Sequence, residues 1–290
     1  MATTKAELEA IAQRYRQAYL AHEPSLAPIS PQVRFSENNI EMPFPDGTWD
    51  TVSRENGDAL VLSDPVNGTA ALFMVVFQLD TPSFLAVRLK VAEGEIVEAE
   101  HILSTKRNVS TPPESFGDAE AFSRDPEMLA DVAPGERMPR PDMIRLADAY
   151  FQTLENNTGE LRGGIKFSPG CVRHENGLKR GGVEEDFLLG PYRANDRVRD
   201  RDFVLVDEER SVVAARGFID HKGVVDEFTL TDGTPARSIF REPHTWALLE
   251  LFKMRAGSIV AVEAVFYGAP YYQRSPWTSS RDRVWPEPIP

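Results

Sequence analysis

Cysteine is almost missing from this chain of 290 residues, which contains Cys171 alone. A single cysteine cannot form a disulfide within the chain, and it excludes zinc and iron–sulfur sites built from several cysteines. So little cysteine is typical of a protein from a reducing compartment. A chain of this length can bury about 70–75% of its unfolded surface, so it needs no covalent staples to fold.

Positive charge is also scarce, with 32 Lys and Arg against 45 Asp and Glu and a net charge of −13. An acidic surface repels phosphate backbones, and no Lys/Arg cluster with interleaved aromatics occurs, so we expect no nucleic-acid partner. No run of about 18 apolar residues is present, and residues 1–20 lack the apolar segment of a signal peptide. We therefore expect a soluble, cytoplasmic protein without a membrane partner.

An internal repeat aligns residues 85–102 with residues 248–265 without a gap. Two further blocks match in the same order: 13–20 with 148–155, and 33–39 with 172–177 with one residue of slippage. The first of these places Tyr15 on Tyr150. Three matches in one order indicate a tandem duplication, in which the second copy is longer by about two dozen residues before its last block.

The repeat divides the chain into a first domain over 1–105, a linker over 106–139 and a second domain over 140–290. The linker is rich in Pro, Ser, Gly and charge, which is typical of a surface segment or a functional flap. Each copy begins with apolar residues at helical spacing and continues with short β-rich segments. The sequence therefore predicts an α+β fold in which a helix covers a curved antiparallel sheet around an apolar pocket.

Several motifs resemble the NTF2-like, SnoaL-like superfamily, which includes ketosteroid isomerase, scytalone dehydratase and polyketide cyclases. They are QRY in the first helix, a VR-x-x-EN strand edge and a final hairpin that contains a G-x-I-V pattern. The stretches 37–49, 88–100, 173–177 and 250–264, with 270–277, resemble an uncharacterised group with two such domains. The resemblance implies two tandem NTF2-like cone domains, each a helical layer on a strongly curved antiparallel sheet. It also implies back-to-back sheets that form an intrachain pseudo-dimer, with a homodimer of chains as a further possibility.

The resemblance further implies an enzyme that binds a small apolar or aromatic substrate and uses neither a metal nor an organic cofactor. Such an enzyme is a lyase, isomerase or dehydratase that acts by proton abstraction. Retro-aldol release of formaldehyde from a phenylpropanoid-like molecule is one example. The alternative is a non-catalytic protein that binds a small ligand or serves as a scaffold, because one fold hosts many functions.

Candidate site residues come from the family pattern and from polar residues on apolar faces. In the family, a tyrosine of the first helix stabilises an oxyanion, and Tyr15 and Tyr150 match it; a core role is the alternative. His174 or Glu175 is the candidate base, since either can titrate near neutrality in an apolar pocket, whereas a turn at Glu175 is the alternative. Glu250 interrupts an apolar strand face and needs a partner or a function.

The two copies differ at these positions. Phe35 and Val87 of the first copy align with His174 and Glu250, which makes the second copy the more polar one. The predicted catalytic residues are His174, Glu175, Tyr150 and Glu250. The predicted substrate-binding residues are Tyr15, Glu37, Trp49, Arg88, His101 and Arg173. No metal ligands are predicted, because the histidines lack metal-binding spacing.

Overall fold

The structure, a computed structural model, describes residues 3–107 and 112–278. Its first unit contains one long helix and six strands. They are α1 (Lys5–Ala21), β1 (Ile29–Glu37), β2 (Ile40–Met42), β3 (Val52–Asp64), β4 (Thr69–Gln78), β5 (Thr81–Ala92) and β6 (Glu95–Thr105). A short helix, α2 (Pro126–Leu129), lies in the segment between this unit and the next.

The second unit repeats this order and adds elements of its own. It contains α3 (Arg140–Leu154), β7 (Phe167–Glu175), β8 (Leu178–Arg180), α4 (Val183–Leu189), β9 (Arg197–Asp207), β10 (Val212–His221), β11 (Glu227–Thr229), β12 (Pro235–Arg237), β13 (His244–Arg255) and β14 (Ser258–Pro270). The connection from β4 to β5 is a tight turn, whereas the connection from β10 to β13 contains the β11–β12 hairpin.

Both units form a six-stranded sheet with the same topology. The strand order is β2-β1-β6-β5-β4-β3 in the first and β8-β7-β14-β13-β10-β9 in the second. In each sheet one neighbouring pair is parallel, β1 with β6 and β7 with β14, and the other pairs are antiparallel. The fold is therefore α+β, as predicted, and two equivalent sheets are consistent with two tandem domains.

The long helix of each unit covers one face of its sheet. Thr4 and Glu7 form a capping box at the start of α1, which satisfies backbone N–H groups that have no partner within the helix. Tyr15 and Tyr19 lie on its buried face. Helix α3 begins next to Pro139, and its buried face includes Tyr150. Each helix thus brings a tyrosine into the interior of its unit.

The opposite faces of the two sheets pack against each other, so the layers run helix, sheet, sheet, helix. Within β4, Leu72 and Met74 belong to the cluster under α1, whereas Phe73 and Val75 pack toward the second sheet. Burial of both faces explains why β4 is a continuous apolar run rather than an alternating one. The segment 112–139 takes part, since Phe122 and Met128 enter the cluster between the sheets.

Across the ranges 3–107 and 112–278, the helices are all too short or too polar to cross a membrane.

Candidate functional site

The second unit contains a cavity of about 510 Å³ between its sheet, α3 and the β11–β12 hairpin. This volume is within the range of small-molecule sites. Most of its wall is apolar, formed by Leu154, Leu189, Ile219, Phe228, Leu230, Ile239, Phe240, Trp246, Leu248 and Phe266 among others. Tyr150, Arg173, Glu175 and Glu250 line the same cavity and form one connected polar cluster.

Arg173 in β7 is the centre of this cluster. It is buried, and its Nη1 donates a hydrogen bond of 3.2 Å to the Tyr150 hydroxyl. Its Nη2 donates to the Tyr192 hydroxyl at 2.5 Å, and its Nε lies 2.8 Å from Glu175 Oε1. A guanidinium held at several points offers a fixed positive charge inside the cavity.

Glu175 is the ionised carboxylate of the site. Burial opposes its ionisation, but the Arg173 charge and a hydrogen bond from Ser115 together hold its pKa below the usual value. The Ser115 Oγ donates to Glu175 Oε2 at 2.8 Å, and Arg180 Nε lies 3.5 Å from the same oxygen. Glu175 therefore carries a negative charge at neutral pH.

Glu250 in β13 has the opposite behaviour. Its neighbours on the same strand face are Leu248 and Phe252, and only 3% of the residue is exposed. Burial raises its pKa to about 8, with the negative charge of Glu175 adding to the effect, although Arg173 and a hydrogen bond with Tyr150 oppose it. Glu250 is therefore mostly protonated at pH 7. Two carboxyls whose pKa values are moved apart in one cavity are the arrangement of an acid and a base.

His174, a predicted base, does not reach this cavity. Successive strand residues point to opposite faces, so His174 lies on the other side of β7 from Arg173 and Glu175. Its ring is 5.7 Å from that of Phe122, which belongs to the segment between the units. His174, one of the two predicted bases, thus lies outside the cavity, whereas its neighbours Arg173 and Glu175 line it.

The strand register also corrects the comparison of the two copies. Phe35 pairs with Ala99, and Arg173 pairs with Val262, which occupies the place of Ala99 in the second unit. Phe35 is therefore the counterpart of Arg173 rather than of His174. The one residue of slippage in the sequence match lies at this point, and it moves the apparent partner of Phe35 to the wrong face.

Four predicted binding residues meet in the interior of the first unit instead. The Tyr15 hydroxyl is 3.0 Å from His101 Nε2, and His101 Nδ1 is 3.6 Å from Glu37 Oε2. The Trp49 ring lies 5.4 Å from that of Tyr15 and 5.3 Å from that of Tyr19. These buried rings fill the centre of the first unit, so its interior is packed where that of the second unit is open.

Arg88, the remaining predicted binding residue, lies on the other face of its sheet. Its Nε donates to Glu100 Oε2 at 2.7 Å, and its guanidinium stacks on the Trp277 ring at 4.7 Å. It therefore cannot line the interior of the first unit, since alternation along β5 directs Val87 there and Arg88 away from it.

Sequence reasoning missed several residues that complete the cavity. Tyr192 and Ser115 contact the polar cluster, and the β11–β12 region contributes Phe228, Leu230 and Phe240 to the wall. The additional length of the second copy was the one signal for the hairpin. No group of three or more His, Cys, Asp or Glu residues that could hold a metal ion occurs within the described ranges.

The chain is similar to a domain family and to solved structures. Residues 136–266 match a family model described as a domain of unknown function (DUF8021). No curated protein sequence matches the chain. Among solved structures, the chain is similar to AclR, a presumed hydroxylase from Streptomyces galilaeus, with 16% identity and a TM-score of 0.29. That match covers 36% of this chain and 82% of AclR.

Proposed function

We propose that the chain is a cofactor-independent lyase or isomerase that acts by proton abstraction on a small, largely apolar and ring-bearing molecule in the cavity of the second unit. The observation that carries the proposal is the pair of carboxyls in one cavity, Glu175 ionised and Glu250 protonated. The apolar wall favours a substrate with an apolar body, because contact between two apolar surfaces removes both from water.

In the proposed reaction Glu175 accepts a proton from a carbon or hydroxyl group of the substrate. Negative charge then develops on a substrate oxygen, to which the Tyr150 hydroxyl and the protonated Glu250 donate hydrogen bonds. Arg173 stabilises the same charge from a distance. Preorganised donors of this kind act strongly in a cavity from which water is excluded. In a dehydration, Glu250 gives its proton to the departing hydroxyl, which leaves as water.

We further propose that both units are NTF2-like cones that form a pseudo-dimer within one chain, in a cytoplasmic protein. The common strand order and the apolar contact between the sheets support this interpretation. The packed interior of the first unit favours a structural role for that unit. Its sheet packs against one face of the second sheet, and the reactive residues project from the opposite face.

One compound reports on the main reactions of this class. The β-hydroxy ketone 4-hydroxy-4-phenylbutan-2-one exchanges its α-protons after proton abstraction, forms an enone by dehydration and forms benzaldehyde by retro-aldol cleavage. Proton NMR in D₂O follows all three processes with the full chain. We expect exchange or turnover with the wild type, and a loss of about 100-fold or more in Glu175→Gln, because proton transfer by a positioned base contributes that much.

His174→Ala is the matched control, since it removes a titratable group next to Glu175 without entering the cavity. It should retain the wild-type rate. Binding of the compound in the cavity without exchange, dehydration or cleavage would contradict the proposal and favour the non-catalytic alternative.

A further inference from the structure

The carboxylate of Glu175 has a counterpart in the first unit. Glu175 lies opposite Ala264 in β14, and Glu37 lies opposite His101 in β6. The repeat aligns His101 with Ala264, so Glu37 and Glu175 occupy the same position, at the ends of the equivalent strands β1 and β7. The contacts of these two carboxylates can therefore be compared directly.

A hydroxyl group holds each of the two carboxylates. In the first unit, Thr48 donates to Glu37 Oε2 from its Oγ1 and, at 3.2 Å, from its backbone N–H. In the second unit, Ser115 Oγ donates to Glu175 Oε2 at 2.8 Å. Thr48 belongs to the same unit as its carboxylate, whereas Ser115 belongs to the linker. The linker thus supplies to the second unit a contact that the first unit makes for itself.

The course of the chain explains why the donor changes. Thr48 lies in the connection between β2 and β3. The corresponding connection of the second unit, between β8 and β9, contains helix α4. This helix packs into the interior, where the Phe187 ring is 5.2 Å from that of Tyr150. In the second unit this connection therefore builds the wall of the interior, and the hydroxyl for Glu175 comes from the linker.

The linker is fixed at the point where it reaches the site. The side chain of Asn176 donates to the Ser115 carbonyl oxygen at 3.0 Å, and the Gly117 N–H donates to the Asn176 carbonyl oxygen at 2.8 Å. The two backbones lie so close together that a Cβ on Gly117 would be 2.4 Å from the backbone of Gly177. The linker is thus attached to the residue that follows Glu175, which fixes the place of the Ser115 hydroxyl.

We infer that Ser115 is a positioning residue for the proposed base Glu175, so that the linker completes the site of the second unit. Ser115 binds one oxygen of the carboxylate, and Arg173 binds the other. A carboxylate held at both oxygens keeps one orientation toward the cavity, and a fixed orientation of a reacting group contributes to its rate. The inference rests on the proposed function, because it names the group that orients the base of that reaction.

Kinetics of the full chain with 4-hydroxy-4-phenylbutan-2-one test the inference. Ser115→Ala should lower kcat by about tenfold or more and change KM little, because a small displacement of a reacting group lowers the rate strongly. Ser115→Thr should restore most of the rate, since threonine supplies the hydroxyl at this position in the first unit. Thr48→Ala is the matched control. It removes the corresponding hydroxyl from the first unit and should keep the wild-type kcat.

The acidic part of the pH profile separates positioning from a general loss of structure. The hydrogen bond from Ser115 helps to hold the pKa of Glu175 below its usual value. In Ser115→Ala the acidic decrease of kcat/KM should therefore move to higher pH, and in Ser115→Thr it should move back. ¹³C NMR of the full chain, labelled at the glutamate side-chain carboxyls, measures the same titration without substrate. Glu175→Gln identifies the signal.

Thermal melting establishes that each variant is folded, and the Glu175 titration in Ser115→Ala decides alone if Ser115→Thr is not folded. An unchanged titration and an unchanged kcat in Ser115→Ala would overturn the inference and keep the proposed function. A loss of rate in Ser115→Thr as large as in Ser115→Ala would also overturn it, because the hydroxyl would then not be the cause. A wild type that does not react with the compound, with a titration that still moves in Ser115→Ala, removes the proposed function and supports Ser115 as the group that holds the carboxylate.

Discussion

Arg216 in the second sheet donates two hydrogen bonds to Glu100 in the first, from Nε to Oε1 at 2.7 Å and from Nη2 to Oε2 at 2.5 Å. Arg88 donates to Glu100 from within the first sheet. All three residues are buried, so one carboxylate is shared by two guanidinium groups in the interface between the units. Glu98 also pairs with Arg88, and Asp202 also pairs with Arg216. The orientation of the two sheets therefore depends on charges that come from distant parts of the sequence.

Replacing this carboxylate should destabilise the chain strongly. Glu100→Gln removes the fully buried carboxylate that Arg88 and Arg216 share. Each guanidinium keeps one more exposed partner, Glu98 for Arg88 and Asp202 for Arg216. Breaking a buried pair costs about 3–5 kcal/mol, and the remaining partners place the expected loss at the lower end of that range. Urea unfolding measures the change. Asp142→Asn is the control, since it breaks the exposed pair with Arg145, which contributes less than about 1 kcal/mol. Equal midpoints for the two variants would contradict the prediction.

The raised pKa of Glu250 predicts a pH-dependent stability. In the folded chain its pKa is about 8, against an ordinary value of 4.5, so the protonated form is favoured. Its contribution is fully present below about pH 4.5 and is lost as the pH rises through about 8. The stability of Glu250→Gln relative to the wild type should rise over that window, by on the order of 4 kcal/mol, and then stay constant. A difference that does not depend on pH would show that Glu250 is ionised in the folded chain.

The same two carboxyls predict the pH dependence of catalysis. The reaction needs Glu250 protonated, so kcat/KM should fall as the pH rises through about 8. It also needs Glu175 to be ionised. Because the pKa of Glu175 is lowered, kcat/KM should not fall until the pH reaches the acidic range. The Glu250→Gln variant should have a lower kcat/KM than the wild type, and its kcat/KM should not fall as the pH rises through about 8. Both are measured with 4-hydroxy-4-phenylbutan-2-one. If the decrease persists in that variant, another group is its source.

The β11–β12 hairpin should contribute to affinity but little to stability. It forms a separate two-stranded sheet, and its residues Phe228 and Leu230 line the cavity. The double variant Phe228→Ala with Leu230→Ala should weaken binding of 4-hydroxy-4-phenylbutan-2-one by about tenfold or more, because apolar contact area with the ligand is lost. Val224→Ala is the control on the same connection, since Val224 is 75% exposed. A large fall in melting temperature for the double variant would instead indicate a structural role.

Part of the site could be predicted from the chain alone. Glu250 stands out because a charged residue interrupts an apolar alternation, and the structure places it on that face. Tyr150 follows from helical spacing and from the match with Tyr15. In both cases the signal is local, because the period of a helix or strand decides which way a side chain points.

Other parts depend on register, which local patterns specify poorly. A shift of one residue in the match near Phe35 aligned that residue with His174 instead of Arg173, and a shift of one reverses the face of a strand. Arg88 lies on the opposite face from Val87, because successive strand residues alternate. The sequence showed the β11–β12 hairpin only as additional length. The hairpin is held beside the cavity by hydrogen bonds from Thr231 to Leu188 and Leu189, which lie more than 40 positions earlier in the chain.

The sequence by itself indicated that one α+β unit is repeated along the chain. It also indicated that Tyr150 and Glu250 face an apolar interior, because the periodicity of a helix or strand decides which way a side chain points. Only the tertiary structure decided that Arg173 and Glu175 join them, and that Arg216 of one unit pairs with Glu100 of the other. It also decided that aromatic rings fill the interior of the first unit, whereas the second unit encloses a cavity. Packing, charge pairing and empty volume arise between residues far apart in sequence, and no local pattern encodes them.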